Sequence, residues 1–280
     1  MTATSGRLKR RDRVAMATWP RDADARIGMR LQLDWDRIVL AHPNIAPVAM
    51  VGFALGQALA ANPVANRRVA LWKVRPHRTV RLSFAVHASN DLRIAVVDRA
   101  DELSPTEFQR ALRASAREAR SRTGPLARAT RLVEAVPVVV SRPALRCFSA
   151  LTSGLGIGVM GITGTPFGAA LISSVARFGL PAVDVPFVSF TRCALVCSVG
   201  AVAPGVVVRD GAPAVANLLG VNVSYDHRIC DASQLASLLL SFETALYHDP
   251  VFGPPQPVRD RYRSGGDLPR SPKVGRDEHF

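Results

Sequence analysis

The residues best placed to do chemistry form one short run, Ser224-Tyr225-Asp226-His227-Arg228-Ile229-Cys230-Asp231-Ala232, between a long apolar stretch and the last amphipathic segment. A histidine at the end of a strand can project into a cleft and act as a general base near neutral pH. Asp231, just ahead of a helix, can either cap it or orient a neighbouring group. The plain alternative makes Asp231 a cap, His227 an ordinary loop residue and Arg228 a solvated one. No other chemistry is signalled: H-E-x-x-H, the EF-hand loop, G-x-x-x-x-G-K-[ST], a helix-opening G-x-G-x-x-G and G-x-S-x-G are all absent. No metal is therefore expected. Cys147, Cys193, Cys197 and Cys230 lack paired spacing and read as reduced thiols of a cytosolic protein.

The elements that must position this run can be read from periodicity. Ile27, Met29, Leu31 and Leu33 alternate with Gly28, Arg30, Gln32 and Asp34, as in a strand with one buried face. A helix is expected from about Ala46 to Ala61. Three strands with antiparallel character follow, at Val69 to Val74, Val80 to His87 and Leu92 to Val97, separated by Pro76 and by Asn90-Asp91. Ser104-Pro105-Thr106-Glu107 has the form of a capping box opening a helix. That helix buries Phe108, Leu112 and Ala116 and carries Arg110, Arg113, Arg117 and Arg120 elsewhere on its surface. Buried strands are expected at Ala169 to Val175 and Arg192 to Val202. Val206 to Arg209 and Val215 to Tyr225 then make a hairpin about Asp210-Gly211, a pair suited to a type I′ turn. The last helix, Ser233 to about His248, places Leu235, Leu238, Leu239, Phe242 and Leu246 on one face.

A chain of 280 residues with 48% hydrophobic residues buries a substantial core, which excludes wholesale disorder. Its formal charge is +14, and 33 of its 36 basic residues are arginine. Such a balance attracts anions, whether nucleic acid, a membrane surface or the phosphates of a ligand. With only 6% aromatic residues to stack on bases, nucleic acid is the weakest of these partners. The stretch from Phe148 to Ala176 is uncharged but holds six glycines and Pro166, so it reads as a glycine-rich loop leading into a buried strand. No apolar core of a secretory signal follows Arg13. Residues 1–26 read as a basic arm, 27–250 as the folded domain with an insertion at about 123–166, and 251–280 as a disordered Pro/Gly-rich tail.

The run Ser224 to Ala232 resembles the S-x-D-H-R-x-x-D-G signature of the 2-oxoacid dehydrogenase acyltransferases, a variant of the H-H-x-x-x-D-G motif of chloramphenicol acetyltransferase; Ala232 stands where the family has glycine. Met29 to Asp36, Val80 to Asp98, Asp101 to Ser104 and Val207 to Gly211 resemble further family segments in the same order. Ile172-Ser173-Ser174-Val175-Ala176-Arg177-Phe178-Gly179 is similar to the family's I-S-N-L-G-x-F-G, which aligns its serine with Ser173, with Ser174 as the alternative.

The resemblance implies an α/β two-layer sandwich with a mixed, largely antiparallel sheet, like chloramphenicol acetyltransferase, assembled as a trimer with sites between subunits. It implies acyl transfer between thiols, with coenzyme A as acyl-carrying substrate and a dihydrolipoyl-like or other acceptor. His227 would be the general base, Ser173 a hydrogen-bond donor to the oxyanion, and Asp231 a structural residue paired with an arginine, for which Arg13 is the candidate. Arg228, with Asp226 and Ser224, would support the loop, and Arg113 and Arg117 would meet the phosphates of coenzyme A. No lipoyl or subunit-binding domain fits in the 26 residues before the core, so a stand-alone catalytic domain without covalent lipoyl is expected, served by a separate lipoyl-bearing protein and with assembly beyond a trimer open. Two other readings stand beside it: a non-catalytic trimeric scaffold of the same fold, and a basic protein of the membrane surface.

Overall fold

The computed structural model describes residues 26–70, 73–88, 91–121, 125, 128–129, 138–188, 190–209 and 211–247. The arm, the tail and Arg13 lie outside them.

Strand β1 (Arg26–Asp34) turns every second side chain inward, with Ile27, Met29 and Leu31 half-buried and Leu33 buried, as its alternation dictates. Helix α1 (Trp35–Ala41) follows, capped by the Asp34 carboxylate, and then α2 (Pro47–Ala61), whose small residues Ala49, Gly52, Ala54, Gly56 and Ala58 let it lie close to its neighbours. Next come β2 (Arg67–Ala70), β3 (Lys73–Pro76), β4 (Leu82–Ala88), β5 (Asp91–Val97) and α3 (Pro105–Ser121). The expected capping box opens α3: Ser104 N–H donates to Glu107 Oε2 at 2.9 Å, and Glu107 N–H donates to Ser104 Oγ at 3.4 Å. Helix α4 (Val138–Ser149) runs into a wide turn, Ala150–Leu155, within the region expected as an insertion. Strands β6 (Ala170–Ser174), β7 (Leu195–Arg209) and β8 (Ala212–Asp226) and helix α5 (Ala232–Tyr247) complete the described chain.

Six strands form one sheet in the order β1-β8-β7-β6-β4-β5. The β7–β6 and β6–β4 pairs are parallel and the other three antiparallel, so the sheet is mixed and largely antiparallel, with α1, α2, α3 and α5 layered on one face. The run expected as a single strand, Val69 to Val74, is instead split between β2 and β3, which pair with each other as a separate ribbon. Pairing two runs that adjoin in sequence costs far less chain entropy than carrying the segment to the main sheet. The strand expected to end at Val202 continues unbroken to Arg209, past a bulge between Val199 and Val202.

The core between the layers joins Leu33, Tyr225, Leu195, Ile172 and Phe84 of the sheet to Met50, Leu59, Phe108, Leu238 and Leu246 of the helices. Phe108 is fully buried and meets Phe84 edge to face, with ring centroids 6.0 Å apart, while both rings close over the bare backbone of Gly52. Phe108→Ala leaves a cavity that this close packing cannot collapse. A loss of about 3–5 kcal/mol is expected, read as a fall in the urea midpoint at fixed protein concentration.

On the opposite face the segment 180–188 crosses the sheet. Val183 N–H donates to Ser198 Oγ at 2.9 Å, Ala201 N–H donates to Leu180 O, and Asp184 accepts from Asn222 Nδ2 at 3.1 Å and from Arg30 at 3.0 Å. Gly200 permits the crossing, since a Cβ there would lie 2.5 Å from Ala182 N. The β7–β8 hairpin extends past the end of β1 as an arm, with Asn217 near its base bonded to Asp36 and Arg209, next to its turn, ion-paired to Asp34; Val206, Val208 and Val215 stand exposed on it.

Candidate functional site

Strand β8 delivers His227. Its last turn is anchored by Tyr225, a fully buried side chain whose hydroxyl donates to Ala65 O at 2.5 Å; burial pushes that phenol well above its usual range. Asp226 O then accepts from Ile229 N–H, folding the chain into a turn with His227 near its apex. His227 is half-buried, and its Nδ1 lies 3.0 Å from Cys230 O. A carbonyl oxygen can only accept, so Nδ1 carries the proton in this contact and Nε2 is the basic atom of the ring. That arrangement suits a general base.

The turn is stapled by the residues on either side of His227. Arg228 reaches both carboxylate oxygens of Asp226, at 2.9 Å to Oδ1 from Nε and 2.6 Å to Oδ2 from Nη2, and its own N–H donates to Oδ1 at 3.0 Å. The pair is mostly shielded, its side chains 13% and 10% exposed, so the fork is held with little solvent competition. Arg228 is thus a clamp on the loop rather than a solvated residue. Ser224 is buried three residues before His227 on β8, in register with Val196 and Gly28.

Asp231 caps α5. Its Oδ1 accepts from Gln234 N–H at 2.9 Å and from the Ser233 hydroxyl at 2.7 Å, while its own N–H donates to Gln234 Oε1 at 3.0 Å, a reciprocal cap. Ala232 is the first helical residue, exposed and outside the positive-φ region, so no glycine is required there.

Ser173 lies near the C-terminal end of β6 on the face crossed by 180–188, level with Ala85 of β4 and Ser198 of β7. Ser83 and Ser198 bond to backbone groups, but the half-buried Ser173 makes no side-chain hydrogen bond among the described residues. It is not spent on its own sheet. His227 and Ser173 are not brought together within one chain. The register sets Tyr225 level with Leu195 and Leu195 level with Ala170, so Ser173 lies about 10 Å along β6 from that line and two strand spacings of about 4.8 Å across. His227 lies beyond the line on the other side.

Arg113 and Arg117 are exposed on α3, which packs over edge strand β5, four strands from β8. Cys193 and Cys197 are buried, which pushes both thiols up to about 12 and leaves them unreactive. Among the described residues, no three of His, Cys, Asp and Glu cluster as metal ligands, and no helix is long and apolar enough to cross a membrane. Sequence reasoning missed Tyr225 as an anchor and the row Arg30, Asn222, Ser198 and Ser173 across four strands. The alternation of β8 put Asn222 opposite its apolar neighbours, but only the register aligns the row.

The family model for 2-oxoacid dehydrogenases acyltransferase (catalytic domain) matches residues 5–127. No curated protein sequence matches the chain. Among solved structures the fold is similar to that of a probable dihydrolipoamide acetyltransferase from Listeria monocytogenes, at 18% identity and a TM-score of 0.58 over 85% of this chain and 88% of that one. It is also similar to the cubic core of a pyruvate dehydrogenase multienzyme complex, at 16% identity and a TM-score of 0.56 over 79% and 81% of the two chains. The dihydrolipoamide acetyltransferase of Azotobacter vinelandii, studied for the role of a serine, a histidine and an asparagine in its catalytic mechanism, matches to the same extent. These likenesses bear out the expected resemblance and fold.

Proposed function

We propose that this chain, with the fold of the dihydrolipoamide acetyltransferase cores and the 2-oxoacid dehydrogenase acyltransferase match over its first half, moves acyl groups between coenzyme A and a second thiol, dihydrolipoyl-like in class. The observation that carries the reading is the His227 turn: an imidazole with Nδ1 committed to Cys230 O, clamped by the shielded Arg228–Asp226 pair at a strand end.

The chemistry follows from that geometry. Nε2 of His227 takes the proton from the attacking thiol, and the thiolate sulfur bonds to the thioester carbonyl carbon while the carbonyl π electrons move to oxygen. Ser173 donates a hydrogen bond to that oxyanion. Collapse re-forms the carbonyl, breaks the original carbon–sulfur bond, and the departing thiolate takes the proton back from His227. Since one chain holds the two side chains apart, the reading calls for a site between subunits of a trimer. The exposed Val206, Val208 and Val215 on the projecting arm are apolar surface suited to a neighbour. Asp231, as cap, holds the start of α5 against the turn, and the buried Ser224 lies on β8 just ahead of it. Arg113 and Arg117 would serve coenzyme A bound from an adjacent subunit. A cytosolic location and a separate lipoyl-bearing protein accompany this reading.

The test is thiol release from a panel of short acyl-coenzyme A donors, with and without dihydrolipoamide, on full-length protein of measured mass in solution. Release that needs the acceptor is expected from trimers. Ser173→Ala should lower kcat by about 10²- to 10³-fold with little change in KM, as for loss of one oxyanion donor. No release from folded trimers would overturn the reading in favour of a scaffold.

A further inference from the structure

Away from the His227 turn, the β2–β3 ribbon holds a cluster of cationic and donor groups with almost no acid among them. Arg68 is 7% exposed, yet its described acceptors are two backbone carbonyls, Pro76 O at 2.9 Å and Gly154 O at 3.4 Å. A guanidinium offers five N–H donors, and among the described residues no carboxylate pairs with this one. Burial and the neighbouring Arg75 both weaken its hold on its proton.

Around Arg68 the enclosed polar atoms without a hydrogen-bond partner are concentrated: His77 Nε2, Arg81 Nε, Ser153 Oγ and Asn66 Oδ1. Native proteins leave few such groups, and each calls for an explanation. Burial, then Arg68 and Arg81, push the His77 imidazole down to about 3, so it stands neutral between two cations. The Asp98 carboxylate beside Arg81 is taken by Arg81 and by the Thr79 hydroxyl. Asn66 bonds Thr79 O at 3.5 Å through its Nδ2.

The glycine-rich loop binds these groups into one place. Arg68 touches it at Gly154 and Gly156, and Arg81 donates to Thr163 Oγ1 at 2.9 Å and Thr165 O at 3.2 Å. Between those contacts the loop crosses itself, with Gly164 against the Gly156 carbonyl so tightly that a Cβ would overlap it. Two arginines thus reach a loop whose glycines bring backbone close, with the neutral His77 imidazole near both of them and Ser153 in the turn that enters the loop.

We infer that Arg68, His77, Arg81 and Ser153 form an oxyanion site under the glycine-rich loop, and that its ligand is a phosphoryl group. A tetrahedral anion supplies several acceptor oxygens and the missing negative charge at once. Both a free phosphate and a phosphoryl group of a nucleotide-like molecule carry this chemistry. The inference does not depend on acyl transfer.

The experiment titrates inorganic phosphate into full-length protein at low ionic strength, following heat of binding and the His77 ring nitrogen signals. Saturable binding is expected, with a shift of the His77 signals and a rise in unfolding temperature that grows with phosphate. Arg68→Met should weaken binding at least about tenfold, as loss of a charge-assisted pair does. Ser153→Ala, which removes only an unpartnered hydroxyl, should weaken it a few-fold in a normally folded protein. Arg110→Met, an exposed arginine of α3, should leave it unchanged. No saturation by millimolar phosphate, or equal binding by wild type and Ser153→Ala with a still His77 signal, would overturn the site. Coenzyme A competing with phosphate where pantetheine does not would assign the phosphoryl group to a nucleotide thioester carrier; lack of competition would assign free phosphate.

Discussion

His227→Ala is expected to lower acyl transfer by about 10²- to 10⁴-fold while the protein keeps its assembly and nearly all its stability. The size follows from the role: without an imidazole, the attacking thiol must lose its proton to water in the step that forms the carbon–sulfur bond. The small structural cost follows from the contacts. The side chain's described hydrogen bond, Nδ1 to Cys230 O, is worth about 1 kcal/mol net, and the turn is held independently by Arg228 on Asp226 and by Tyr225 on Ala65 O. The decisive readout is kcat at saturating donor, with the unfolding curve measured alongside. Activity within a few-fold of wild type in a folded His227→Ala protein would remove His227 from the chemistry. Arg228→Met separates positioning from proton transfer: it leaves the base in place but frees the turn, so the rate should fall less and become more sensitive to temperature. Leaving Asp226 buried and unpaired should also cost stability, on the order of 3–5 kcal/mol.

Local rules were enough to read the elements that meet them locally. The β1 alternation, the Ser104–Glu107 box and the apolar face of α5 each depend on residues within a few positions of one another, and each stands where expected. The turn carrying His227 was legible for the same reason, because Asp226, Arg228, Cys230 and Asp231 make their bonds within four residues. Long-range decisions were not legible. Whether Val69 to Val74 joins the main sheet or folds on itself turns on chain entropy against sheet pairing, and periodicity is the same in both. Arg68 looked like any surface arginine; its burial is imposed by the loop from Gly154 to Gly168, some 90 residues later. The alignment of Arg30, Asn222, Ser198 and Ser173 likewise exists only once four strands are in register.

That register makes the second large effect a matter of geometry. Ser173→Ala and His227→Ala, each nearly inactive alone, should regain activity when co-expressed or refolded together. The oxyanion donor and the base must each approach one thioester carbonyl to about 3 Å, yet a single sheet sets them at opposite ends of its strands. On the proposed reading, each complete site takes His227 from one subunit and Ser173 from its neighbour. In randomly mixed trimers of equal proportions, a site draws an intact histidine half the time and an intact serine half the time. About one site in four is whole, and about a quarter of wild-type activity is expected. A site contained in one chain predicts something else: every subunit carries one defect, so mixing restores nothing. The measurement also tests the arm, because it needs subunits that meet. Charged replacements of Val206 and Val215, which face solvent in the single chain and so leave its core intact, should abolish both the trimer and the regained activity. Complementation that survived in monomers would contradict the shared site as firmly as its absence in trimers.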